Sequence, residues 1–254
     1  MPDSPDPIRS PEMNRELWEN VSGDYSRRVL SVFENDKKGK VAKCIKAFAE
    51  THPQASAADL GCGIGQFTPT LARSFETVVA CDLSAGGVQA TRRHCSDFSN
   101  VEFLRLDLSE DPMPFAPVDF ALCVNVLIMP ILDERLRAWR CVTNQVSSGG
   151  SLLLVVPSLE SIQMDLIQRV DGYIDLGHSC EEALRAGQSS RATASDLQQG
   201  IHRLDGLPTK HYFAAELEYL LESHEFDIEE MQKIEYKSSQ HVDSWDWLVR
   251  AVRR

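Results

Sequence analysis

The sequence predicts an α/β fold: a doubly wound, mostly parallel seven-stranded sheet with a C-terminal antiparallel hairpin, N-terminal helices and an insertion after strand five. Three observations carry that expectation. Between residues 53 and 156, nearly continuous apolar runs alternate with helical stripes, as parallel strands covered on both faces require. The stretch Ala57-Ala58-Asp59-Leu60-Gly61-Cys62-Gly63-Ile64-Gly65 passes from strand to helix through a loop with glycine at every second position, where backbone can approach a ligand closely. Two strand-like runs, Phe226 to Tyr236 and Trp245 to Val252, then close the chain with a connection short enough only for antiparallel neighbours.

Composition bounds the rest. At 254 residues, 43% hydrophobic and 25% charged, the chain can bury one full core, so residues 12–254 are expected to form a single domain. The formal net charge of −12 argues against nucleic acid as a partner, because phosphate binding needs clustered Lys and Arg. Seven cysteines without a Cys-x-x-Cys pair, most of them in apolar runs, fit packing thiols in a reducing compartment and give no metal site. Residues 1–11, with four prolines and no apolar stretch, read as a disordered lead-in, and no run reaches membrane-spanning length. A soluble, cytoplasmic protein is expected.

In chain order, Leu17, Trp18, Val21, Tyr25, Val29, Leu30 and Phe33 have helical spacing broken at Ser22-Gly23, predicting two short helices. Lys40 to Thr51 is an amphipathic helix ending before Pro53. Residues 53–156 form the core: strands near Ser56 to Leu60, Thr77 to Cys81, Val101 to Leu106, Val118 to Val124 and Ser151 to Val156. They are read as five strand-helix steps, with Ser84 capping one helix and Gly149-Gly150 turning the chain before the fifth strand. Residues 157–212 break the rhythm: one helix over Ile162 to Tyr173, then a polar, glycine-dotted stretch laid over the carboxyl edge of the sheet on the substrate side. Residues 213–254 supply a last helix and the hairpin.

The strand ends carry the chemistry. A dinucleotide fingerprint wants a third glycine where Gln66 stands, so the spacing here is Gly-x-Gly-x-Gly. Asp82 ends strand two about twenty residues past Gly61, the separation at which a carboxylate reaches ribose hydroxyls. Asp107 ends strand three, placed to accept from an adenine amine, with Leu83 and Leu108 beside the two acids to sandwich a flat ring. Asn125 ends strand four.

These residues resemble the class I S-adenosylmethionine-dependent methyltransferase family, through motifs over residues 56–156 and topology over residues 213–252. The resemblance implies S-adenosylmethionine as cofactor and S-adenosylhomocysteine as product. It implies that Asp59 and the backbone of Gly61 and Gly63 face the methionine part, with Cys62 and Gly65 of the same loop also binding the cofactor, Asp82 the ribose, Asp107 the adenine and Asn125 the edge of the sulfonium pocket. Strand four continues Val126-Leu127, unlike the Asn/Asp-Pro-Pro-Tyr of amino-group methylases, and the Asp-Asn pair of magnesium-dependent enzymes is lacking.

Methyl transfer needs alignment more than a strong nucleophile, and a base only where the acceptor must lose a proton. His211 and Tyr212, where the chain returns over the active edge, are the catalytic candidates, with capping or packing of the following helix as their other reading. Trp18, Tyr25 and His178 are candidates on the substrate side, the two aromatics also reading as core. The expected reaction is methylation of an oxygen or nitrogen of a small molecule. A protein side-chain acceptor and a non-catalytic cofactor-binding role are the alternatives.

Overall fold

The computed structural model describes Glu16, residues 18–19, 32–187, 193–204, 207–236 and 244–254. Tyr25, the lead-in and most of the two N-terminal helices expected from the sequence lie outside the described residues. Among those described, Glu16, Trp18 and Glu19 are helical. The short helix α1 (Val32–Asn35) precedes α2 (Lys40–Thr51), which buries Val41 and Ile45.

The core follows as β1 (Ser56–Leu60), α3 (Thr68–Ser74), β2 (Thr77–Asp82), α4 (Ala85–His94), β3 (Val101–Arg105), β4 (Val118–Val124), α5 (Leu132–Asn144) and β5 (Val146–Pro157). The insertion holds α6 (Leu159–Asp175), α7 (Cys180–Gly187), α8 (Ala194–Gln198), β6 (Ile201–Leu204) and β7 (Leu207–Lys210). The chain ends with α9 (Ala214–Ser223), β8 (Phe226–Tyr236) and β9 (Ser244–Arg253).

The seven-stranded sheet has the order β3-β2-β1-β4-β5-β9-β8. The pairs from β3 through β5 are parallel, and β9 is antiparallel to both β5 and β8, so the terminal hairpin is present as expected. Both faces are buried. Val41, Ile45, Leu71, Phe120, Leu122, Leu153 and Leu248 pack one side, while Trp139, Val142, Leu152, Leu154, Leu217 and Leu221 pack the other. The even and odd residues of β4 and β5 divide between these two layers, which is why those strands read as unbroken apolar runs.

Three expectations need correction. The step from β3 to β4 contains no helix: residues 106–117 form one turn at 108–110 and otherwise irregular backbone, and Pro112, Pro114 and Pro117 deny a helix its donors there. Gly149-Gly150 is not a turn before the fifth strand but lies inside β5, whose pairing to β4 jumps from Val118↔Val146 to Phe120↔Ser151, with Gly149 at φ 77°. The insertion carries three helices and the hairpin β6–β7 rather than one helix and an irregular stretch. No described helix is long and apolar enough to cross a membrane.

Candidate functional site

The carboxyl ends of β1 to β4 line up along one edge, so the residues that end them are brought together by the parallel pairing. Alternation along β1 sends Ala58 and Leu60 to one layer and Asp59 to the other, where its Oδ2 accepts from Thr68 Oγ1 of α3 at 2.6 Å. Burial, with a smaller push from the Asp82 charge, raises the Asp59 carboxyl to about 7 against the hydrogen bond from Thr68.

The glycine loop turns its amides inward. Gly61 N and Cys62 N both donate to the Cys81 carbonyl, at 2.8 and 2.9 Å, Gly63 N donates to Asp82 Oδ2 at 2.8 Å, and Gly65 N to the Cys62 carbonyl at 2.9 Å. Gly61 holds φ 82°, and a Cβ there would come 2.1 Å from Val126 Cγ2, so the loop after β4 sits directly upon it. A phosphate cradle needs outward N–H groups, and here these four are engaged within the fold. With Asp59 and Asp82 beside it, the loop suits a ligand that brings positive charge. Cys62 is buried with its Sγ accepting from Thr91 Oγ1 of α4 at 3.5 Å, a packing position.

Asp82 is half-buried; Oδ1 accepts from Ser84 N and Oδ2 from Gly63 N, both at 2.8 Å. Burial raises its carboxyl, opposed by these two backbone bonds. Each carboxylate oxygen has a further lone pair for a hydroxyl donor. Ser84 caps α4 as expected, its Oγ accepting from Gly87 N at 3.0 Å. Glu19 reaches the same helix start, accepting from Ala85 N at 2.9 Å and Gly86 N at 3.1 Å, which places the half-buried Trp18 near this end of the site. Asp107 is half-buried and accepts from Ser109 N and Ser109 Oγ, while Leu83 is half-buried and Leu108 buried beside these acids.

Asn125 follows β4 with a left-handed φ of 53°. Its amide donates to the Val155 carbonyl, its Nδ2 donates to Asp246 Oδ2 at 3.3 Å, and its Oδ1 is buried with no donor. Asp246, on β9 opposite Pro157, also accepts from the Tyr236 hydroxyl at 2.5 Å. Burial raises its carboxyl to about 6, opposed by the bonds from Tyr236 and Asn125. The sequence reading missed Asp246; the available signal was one acid in the apolar run Trp245 to Val252.

Of the insertion candidates, Tyr212 is fully buried, donates to the Leu127 carbonyl at 2.5 Å and accepts from Trp139 Nε1 at 3.1 Å, and burial pushes its phenol up. It ties the loop after β4 to α5. His211 is equally buried; its Nδ1 lies 2.9 Å from the Thr209 carbonyl, so that nitrogen carries the hydrogen, and burial lowers the ring to about 3. Its neighbour Lys210 is 3% exposed and pairs with Glu216 at 2.6 Å. His178 is exposed in the turn between α6 and α7, beside Tyr173 and Glu182, on the outside of the insertion. Among the described residues no cluster of three or more His, Cys, Asp or Glu could hold a metal ion.

A sequence-family model described as a methyltransferase domain matches residues 57–150. Over those residues this chain carries a methyltransferase domain. No curated protein matches the chain. Solved structures share the methyltransferase fold. One is the magnesium protoporphyrin IX methyltransferase ChlM from Synechocystis PCC 6803 with bound S-adenosylhomocysteine: 14% identity, 96% of this chain and 100% of that one covered, TM-score 0.63. The 1,6-didemethyltoxoflavin-N1-methyltransferase of Burkholderia thailandensis gives 14% identity, 99% and 92% coverage and a TM-score of 0.62. The N-methyltransferase NodS of Bradyrhizobium japonicum WM9 gives 13% identity, 94% and 97% coverage and a TM-score of 0.60.

Proposed function

We propose that this methyltransferase transfers the methyl group of S-adenosylmethionine to an oxygen or nitrogen of a small-molecule acceptor. The observation that carries the reading is the order of polar groups along the sheet edge: Asp107 for adenine, Asp82 for ribose, Asp59 and the Gly61–Gly65 loop for the methionine end, Asn125 for the sulfonium edge. The inward amides and the raised carboxyls of Asp59 and Asp82 fit a cationic cofactor, which would return part of the desolvation cost of both acids.

The bound cofactor supplies an activated methyl group on a sulfonium. The protein's part is to hold it in line with the acceptor and to exclude water. Tyr212 serves as a positioning residue, fixing the loop that carries Asn125 and Val126 through its bond to the Leu127 carbonyl. His211, neutral and beside Lys210, is a candidate wall of the acceptor side rather than a strong base. The net charge of −12 and the cover formed by residues 157–212 favour a compact, enclosed acceptor. The likeness to enzymes named for a didemethyltoxoflavin and a protoporphyrin supports that class.

Calorimetry with S-adenosylmethionine, S-adenosylhomocysteine and NAD tests the cofactor. The first two bind and NAD does not; Asp82→Ala weakens binding about tenfold or more, the loss of charge-assisted hydrogen bonds to ribose. Labelled methyl groups should then enter the small molecules of a fractionated metabolite extract, and label confined to protein would overturn the acceptor class.

A further inference from the structure

We propose that Asp246 is the proton acceptor of the acceptor pocket, and that the site therefore takes a small molecule presenting an N–H or O–H group beside Asn125. The proposal rests on the cofactor order given above. Moving along the sheet edge from adenine through ribose and methionine to sulfonium, the strands used are β3, β2, β1 and β4. The next strands outward are β5 and β9, and their paired positions at this edge are Pro157 and Asp246. Asp246 thus stands where the acceptor must approach, hydrogen-bonded to Asn125.

The carboxylate is held from one side. Tyr236 and Asn125 both donate to Oδ2, at 2.5 and 3.3 Å, and no described group donates to Oδ1. Asn125 Oδ1, on the neighbouring side chain, is buried without a donor. Buried oxygen acceptors are rarely left unpaired, because each forfeits its bonds to water. That orphaned oxygen, set beside a carboxylate, calls for a ligand that donates, an amine or a hydroxyl; a carboxylate or phosphate there would meet like charge. Tyr236 faces Asp246 from β8 and Asn125 from the end of β4; Asp36, ahead of α2, acts on Tyr236; no described cation neutralises the acid.

The step balances without a further reactant. The lone pair of the acceptor nitrogen or oxygen takes the methyl group, the electrons of the broken carbon–sulfur bond stay with sulfur, and the displaced proton passes to Asp246 Oδ1 and then to water. With its carboxyl raised to about 6, Asp246 is ionised at neutral pH and still basic enough to share that proton.

Sinefungin, whose amine stands where the methyl group would be, probes the carboxylate before the acceptor is known. In calorimetry at pH 7, Asp246→Asn should weaken sinefungin about tenfold or more and alter S-adenosylhomocysteine by less than about twofold. Sinefungin affinity of the unaltered protein should rise between pH 5 and 7, and Asp246→Asn should reduce the rise to the part that Asp59 and Asp82 supply. Tyr236→Phe, which keeps the acid and removes a bond that favours its charged form, should move that midpoint upward. Equal losses for both ligands, an unchanged sinefungin affinity in Asp246→Asn, or an unmoved midpoint in Tyr236→Phe would overturn the role. Failure of either ligand to bind the unaltered protein would instead sink the cofactor reading, and the proposal with it.

Discussion

Asp59 is 4% exposed, and burial, with a smaller push from the charge of Asp82, raises its carboxyl from 3.8 to about 7 against the side-chain bond from Thr68. A raised acid binds its proton more tightly in the folded than in the unfolded chain, so stability falls as pH climbs from the unfolded value to the folded one. Asp59→Asn, which can still accept from Thr68, is expected to raise the Tm at pH 8 by a few degrees, on the order of 1–3 kcal/mol, and to leave it nearly unchanged at pH 4. Equal shifts at both pH values in thermal melts would refute the ionisation argument. Gly61→Ala meets both a φ of 82° and the Val126 methyl, and should cost about 1–3 kcal/mol in denaturant titrations while weakening S-adenosylhomocysteine binding. The places of Asp59, Asp82 and Asp107 along the sheet edge were legible because each ends an apolar run or opens a turn. Asp246 was not, because the Asn125 that gives it meaning lies 121 residues away in sequence.

At the scale of elements, the loop after β4 is held by groups from three directions. Tyr212 takes the Leu127 carbonyl, Lys210 N donates to the Ile128 carbonyl, and Arg135 of α5 donates to the Met129 carbonyl. Tyr212→Phe removes the bond to Leu127 and leaves Trp139 Nε1 buried without an acceptor, so it should destabilise by about 1–3 kcal/mol in denaturant unfolding. If Tyr212 acts by positioning this loop, the variant keeps cofactor affinity within about threefold and changes turnover, once an acceptor is known, without shifting the pH profile; a lost pH limb would restore it as an acid or base. The hairpin β6–β7 that presents Tyr212 was hidden in the sequence. Its strands have four residues each, and Pro208 weakens the second as a strand signal. Helices α6 and the terminal hairpin were plain, being long enough for periodicity to dominate.

For the whole molecule, parallel pairing converts sequence order into a line of acids. Asp59 and Asp246, raised to about 7 and about 6, and Asp82, also raised by burial, all belong to one sheet edge, in a chain whose net charge is −12. The alternation of strand and helix made that edge foreseeable as far as Asn125; beyond it, the order β5-β9-β8 brings in the C-terminal hairpin, whose side chains no local pattern assigns to a site. The collective consequence is testable by thermal shift. The ligand-free protein should lose Tm between about pH 5 and 8, as acids that are costly to ionise are forced to do so. A ligand present at 100 times its Kd stabilises by about 2.7 kcal/mol. For S-adenosylmethionine, whose sulfonium adds a positive charge at this edge, the gain in Tm at fixed concentration should grow with pH through that window. For S-adenosylhomocysteine, whose sulfur is neutral, it should grow less. Identical pH dependence for the two ligands would mean that the buried acids do not face the sulfur, since their only difference at that point is one methyl group and its charge.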